Sequence, residues 1–330
     1  MFKGLKQIRN APFIFYWAFF VTVIVVIMYF GRTVINHPWT ARDWIAAAAI
    51  DDKVYVLGGQ DKHSGLLDDV LEINLTSRRL RVIASLPAPG CCFAAAALNG
   101  MVYVLGGQGS KGYYDQVIEV DPYTKNVNIV ATLPSPRVYG GAVAVLGKLY
   151  YIGGWDGKQC LDDSVEINPL TGDVRVTGYL PSPMEFLAVT AQDNHVYVLG
   201  GEDTQGNLLD SVMEIDPTTG RVIRIGHLPS PQARGAAKVL GNNLFLLGGW
   251  RGKLTSEIIQ VELSSQDLTA RIIDSLPEPA ADRAAVRAMG KLYLIGGTDP
   301  DFKRQIAVWE IDPQLRKIQA LRFRSASFPW

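Results

Sequence analysis

Arginine, tryptophan and carboxylate residues recur in two settings along this chain. Just before short runs of small residues stand Arg42, Arg137, Tyr139, Glu185, Arg234, Asp282 and Arg283. Just after glycine pairs stand Gln60, His63, Trp155, Asp156, Glu202, Asp203, Trp250, Arg251 and Asp299. Guanidinium forks match carboxylate or phosphate, and tryptophan faces stack on sugars or cations. The chemistry indicated is a polar surface that accepts anions, with Arg42, Arg137, Tyr139, Trp155, Glu185, Glu202, Arg234, Trp250, Arg251 and Arg283 as its ligand-binding candidates. A second reading stays open for each arginine: it pairs with a neighbouring loop acid and serves the fold. No constellation amounts to a catalytic signature, and neither metal nor cofactor is expected.

The elements that must position these residues are repeats. An apolar run ending in a glycine pair occurs at Val54–Gly59, Val102–Gly107, Leu149–Gly154, Val196–Gly201, Leu244–Gly249 and Leu292–Gly297, with a spacing of 47 or 48 residues. A period of this length built only from strand-type segments predicts propeller blades. Each unit reads as four strands. A small-sided first strand, such as Gly140 to Leu146, turns at Gly147-Lys148 into the glycine-ended second. A polar loop leads to a third strand that stops at Asp121-Pro122, Asn168-Pro169, Asp216-Pro217 or Asp312-Pro313, where proline removes a ladder donor. The fourth strand runs to a Leu-Pro pair, as at Leu133-Pro134. First strands rich in Ala and Gly fit a taper toward one axis. The glycine pairs permit close backbone packing; no helix follows them to bind phosphate.

The glycine pair ending the second strand, the tyrosine three residues before it and the Glu-apolar-Asp-Pro third strand resemble kelch repeats. The resemblance covers roughly Arg42 to Phe323, and it implies an all-β, six-bladed kelch-type β-propeller. One departure is the fourth strand, where Val127, Val174 and Val222 stand near the place of the usual kelch tryptophan. Some kelch propellers resemble sialic-acid mutarotases, which implies Glu185 or Glu202 as acid–base group and Arg234 as anion holder. Copper-radical oxidases also carry kelch blades. Their ligand set cannot be assembled here, because only His63 falls beside the candidate residues; His37 precedes the repeats, His195 sits on a turn and His227 on a fourth strand.

In a four-stranded meander the loops after the second and fourth strands emerge on one face, and those after the first and third on the other. The latter is a face of tight turns, including Asn99-Gly100, Gly147-Lys148 and Thr219-Gly220. The loop face carries the varied segments, and loops on a rigid scaffold are where function concentrates. Asp69, Asp115, Asp163 and Asp210 open third strands in register and are expected to cap loops. Cys92 and Cys160 fall on the loop face of adjacent units, which leaves a disulfide between them open. The ring is expected to close by packing its last unit on its first, without exchange of a strand between the termini.

Before the repeats, residues 11–30 carry no charge and suffice for a helix of roughly 30 Å, a transmembrane span. The apolar run exceeds a signal-peptide core, and Tyr29-Phe30-Gly31-Arg32 is no small-residue cleavage site. Lys3, Lys6 and Arg9 precede the span, against Arg32 and Arg42 after it, so residues 1–10 are expected in the cytoplasm and the propeller, residues 42–330, outside it. Residues 31–41 form a short tether. The 32 basic and 32 acidic residues cancel, which argues against a nucleic-acid partner. The expectation is a single-pass protein, of a bacterial inner membrane or an organelle, whose propeller binds a protein or glycan on its loop face or joins a membrane complex. The alternative is an extracytoplasmic sugar-processing enzyme of the mutarotase type.

Overall fold

Apolar second strands such as Lys53–Leu57 and His195–Leu199 are bounded by a tight turn on one side and a glycine pair on the other, so each is short and reverses at both ends. The computed structural model of the chain describes residues 41–61, 63–263, 268–298 and 307–325. Among them every helix or strand is a β-strand. The strands group into six antiparallel meanders in chain order. In the third, Gly141–Val145, Lys148–Trp155, Cys160–Ile167 and Val174–Tyr179 pair successively. The others start at Ala46–Ile50, Ala94–Leu98, Ala188–Gln192, Ala236–Leu240 and Ala284–Ala288. The fold is all-β and propeller-like.

These first strands touch one another in a cycle, with Ala284–Ala288 returning to Ala46–Ile50. Their small residues are a steric requirement: a Cβ on Gly141 would lie 2.2 Å from Cγ2 of Val189 in the next unit. They surround an axial channel of about 210 Å³. The cores lie between successive sheets. Leu57 and Val70 of the first unit pack with Val102 and Val104 of the second, and Leu105 and Val117 of the second with Tyr151 and Val165 of the third.

The glycine pairs join the units. The N–H of Gly107 donates to the carbonyl of Arg137 at 2.9 Å, one unit on, and Gly59, Gly201 and Gly249 make the same bond to Gly90, Gln232 and Ala280. Gly297 donates to the carbonyl of Arg42 at 3.1 Å, carrying the pattern from the sixth unit to the first. Both glycines of each pair have positive φ, as at Gly106 (64°) and Gly107 (105°), which only glycine adopts cheaply.

Closure departs from expectation at the rim. Arg324–Ser325 pair in parallel with Arg79 and Leu80 on the outer strand of the first unit. The fourth and fifth units meet in the same way, through Gly226↔Leu268 and His227↔Thr269. The first unit keeps its own four strands, and the end of one outer strand lies beside the start of the next. Packing alone was too simple an account, because splayed outer strands leave edge groups that pair where neighbours approach.

A polar pair also repeats inside the sheets. Tyr150 Oη donates to Glu166 at 2.8 Å, Tyr103 to Glu119 at 2.7 Å and Tyr293 to Glu310 at 3.2 Å. In the fifth unit the facing residues are Phe245 and Gln260, so the hydroxyl and the carboxylate are replaced together. The transmembrane span read at residues 11–30 lies outside the described residues, and among those described no helix is long and apolar enough to cross a membrane.

Candidate functional site

Immediately before the first strands, one residue per unit turns the chain toward the axis: Trp44, Cys92, Tyr139, Phe186, Arg234 and Asp282. Their spacing is the repeat period. All six adopt left-handed backbone, with φ of 51°, 58°, 60°, 54°, 59° and 57°. For a residue with a Cβ this conformation costs roughly 1–2 kcal/mol, so the surrounding structure must hold it in place. Part of that hold is a run of backbone bonds around the mouth. Cys92 N–H donates to Trp44 O at 2.9 Å, Phe186 to Tyr139 at 2.7 Å, Arg234 to Phe186 at 2.9 Å and Asp282 to Arg234 at 3.3 Å.

The side chains meet over the channel. The Tyr139 and Phe186 rings are 4.4 Å apart, and Trp44 lies 5.6 Å from Tyr139 although it comes from two units away. The Arg234 guanidinium sits 4.3 Å from the Phe186 ring centre and 5.3 Å from that of Trp44. Its Nη1 is 3.8 Å from Asp282 Oδ2. Burial pushes the Asp282 carboxyl up to about 7; Arg234 opposes the rise and Asp43 adds to it. The Cys92 thiol lies 3.3 Å from that of Cys91, and this contact, with burial, holds it well above the usual thiol range. A cavity of about 120 Å³ remains among these groups.

Of the residues expected at a binding site, Tyr139, Arg234 and Arg283 line this cavity, and the other seven do not. Arg42 and Arg137 are 2% and 1% exposed. Each makes a bidentate ion pair inside its own unit: Arg42 with Asp69 at 2.7 and 3.1 Å, Arg137 with Asp163 at 2.8 and 3.1 Å. Their forks are engaged by the chain rather than turned to a ligand, and Asp69 and Asp163 are therefore arginine partners rather than loop caps. Arg251 is held by Glu257 at 2.6 Å and Ser230 at 3.0 Å, and Arg283 by Glu278 at 3.1 Å. Trp155 and Trp250 occupy equivalent, half-buried positions, bridging Val138 and Ala233.

Glu185 and Glu202 face one another across a short two-stranded ladder. Burial and the neighbouring Glu202 raise the Glu185 carboxyl, against a downward pull from Arg234. The two carboxylates and Arg234 thus fall within electrostatic reach of one another. Cys92 and Cys160 remain thiols, unjoined. Trp44 and Phe186 were missed by sequence reasoning as members of the mouth. Their common spacing with Tyr139, Arg234 and Asp282 was the available signal, hidden because the residue type differs in every unit.

Such a mouth can do two things. It offers a cation flanked by aromatic faces to an approaching partner, and it holds a carboxyl that exchanges protons near neutrality. Residues 31–173 match the family model KLHDC2/KLHL20/DRC7 Kelch-repeats domain, and residues 186–229 match the Kelch motif. No curated protein matches the chain in sequence. Among solved structures, that of YjhT is similar: it is 17% identical, the match covers 85% of this chain and 97% of that one, and the TM-score is 0.73. That likeness concerns the fold. With the glycine pairs, the third-strand prolines and the meanders all in register, the chain belongs to the kelch-repeat family.

Proposed function

We propose that this chain is a membrane-anchored, six-bladed propeller that binds a protein or glycan through its loop face and performs no chemistry of its own. In this reading the six meanders are the blades, residues 11–30 the anchor and residues 1–10 a cytoplasmic tail. The observation that carries it is the filled mouth. Where an enzyme built on such a ring would open a substrate cavity, Trp44, Tyr139, Phe186 and Arg234 leave about 120 Å³. Small-molecule sites usually offer roughly 300 Å³ or more. Outside the mouth, Trp155 and Trp250 end the second strands of two separate units and the exposed His63 stands on a loop of a third, a spread suited to a broad contact.

Affinity purification of the full chain in mild detergent, followed by mass spectrometry, tests the proposal. A stoichiometric partner, lost when Trp250 or Arg234 is replaced and retained when exposed Asn242 on the turn face is replaced, supports it. Loss through Asn242 alone would place the contact on the opposite face and overturn the site.

A second reading, a sugar-processing enzyme of the mutarotase type, is favoured by Asp282 held near neutrality beside Arg234, with Glu185 also raised. Its assay is the rate at which sialic-acid anomers equilibrate, followed by NMR. Acceleration by the wild type, lost in Asp282→Asn or Glu185→Gln, would displace the binding reading.

A further inference from the structure

Beneath the mouth, the axial channel is walled by first strands whose central residues are mostly Ala and Val. Two of its lining residues carry charge, Lys238 and Arg287, and both are cationic. Among the described residues no carboxylate lines it. Lys238 is the third residue of Ala236–Leu240, level with Ala48, Ala96, Thr190 and Val286 at the third positions of other first strands. Arg287 is the fourth residue of Ala284–Ala288, one step nearer the turn face, and it is exposed.

Lys238 keeps some surface open to the channel, but protein encloses it, and this desolvation alone pulls its ammonium down to about 8. Among the described residues it makes no ion pair. The sequence offers a contrast in Lys148 and Lys291, each bound to a glutamate of the next strand, Glu166 and Glu310. An ammonium that faces a channel lined with methyl groups and has no acid partner is solvated only by what the channel holds, and that lining supplies no counter-charge. A single small anion would. The hydroxyl of Thr190, itself 3% exposed, can donate from the same level. A volume of about 210 Å³ admits a halide or a one- to two-carbon carboxylate with water. One end is closed by the stack of Trp44, Tyr139, Phe186 and Arg234. The other opens past Arg287, whose charge raises the local concentration of anions.

We propose that Lys238 makes the axial channel a binding site for a small monovalent anion, halide or short carboxylate, that enters from the turn face past Arg287. The site is separate from the mouth and independent of what the loop face binds. A bound anion would hold the six first strands together at the level where the ring has least to pack.

The test is the melting temperature of the full chain in detergent, at pH 6.5 and constant ionic strength, with gluconate replaced by chloride or by formate. Gluconate, a bulky polyhydroxylated anion, serves as the reference because the apolar channel walls offer its hydroxyl groups few partners. Binding predicts a rise of about 3 °C at ten times the dissociation constant in the wild type, and no rise in Lys238→Met. A response to chloride marks the halide as ligand, and one to formate alone marks the carboxylate. An equal response in Lys238→Met overturns the proposal, as does no response to either anion up to 0.5 M (about the ceiling at which site binding outruns general salt effects). Because that variant could fail to fold, wild-type crystals soaked in bromide supply a second readout. An anomalous peak within hydrogen-bond reach of Lys238 Nζ supports the site, and its absence from the channel, together with a melting temperature that ignores formate, overturns it.

Discussion

Arg234 Nη1 and Asp282 Oδ2 stand 3.8 Å apart on neighbouring units, each presented to the axis by a left-handed backbone at the same point of its repeat. The carboxyl is raised from 3.8 to about 7, by burial first and despite Arg234. The folded state therefore holds this proton more tightly than the unfolded state does. Its contribution to stability is complete below about pH 3.8 and is lost as pH rises through about 7. Asp282→Asn should flatten the pH dependence of chemical denaturation between about pH 4 and 7, the window set by those two values. An unchanged slope in that variant would show the carboxyl to be ionised throughout.

Breaking the Arg137–Asp163 pair should cost far more than breaking a surface pair. Arg137 is 1% exposed and its guanidinium is fixed by two bonds to Asp163. Asp163→Ala leaves that charge buried without its partner, and the expected loss is about 3–5 kcal/mol in urea titration. Loss of Asp210, which meets the half-exposed His227 at 3.2 Å, should cost under about 1 kcal/mol.

Replacing a tryptophan of the loop face by alanine should weaken partner association by about 2 kcal/mol or more if it anchors the contact. The turn-face control is Asn242→Ala, expected well under about 1 kcal/mol. Lys148 is a poor control although it sits on the turn face, since it holds Glu166. Melting temperatures of each variant separate lost contacts from lost folding.

Ending the chain after Phe323 removes the Arg324–Ser325 pairing to Arg79 and Leu80. The ring should survive with a melting temperature a few degrees lower, for a loss of about 1–2 kcal/mol. Ending it before Gln314 removes Lys317–Leu321 and bares the edge of Val308–Asp312, and cooperative unfolding should disappear. Circular dichroism melts distinguish the two outcomes.

The Glu166 carboxylate gives a second pH signature of opposite sign. Burial would raise it, but hydrogen bonds from Arg175, Lys148 and Tyr150 outweigh burial and hold it down to about 2. The stability it contributes is present above its ordinary 4.5 and lost as pH falls toward 2. Glu166→Gln should blunt the acid limb of the denaturation profile and leave the limb governed by Asp282 intact.

The repeat itself was legible residue by residue. Glycine pairs at a fixed period, prolines closing third strands and small first strands are local demands of backbone geometry, and each appears in the sequence as a residue type at a fixed position. From them follow the four-stranded units, their order and the division into a turn face and a loop face. What the arginines do was not legible, because a guanidinium before a first strand reads the same whether it faces solvent or a carboxylate. Burial decided it: Arg42 and Arg137 lie inside their units against Asp69 and Asp163, whereas Arg234 lies on the axis. The mouth is likewise a tertiary product. Trp44, Cys92, Tyr139, Phe186, Arg234 and Asp282 share no chemistry and are far apart along the chain, and only closure of the ring brings equivalent positions of all units within contact of one another.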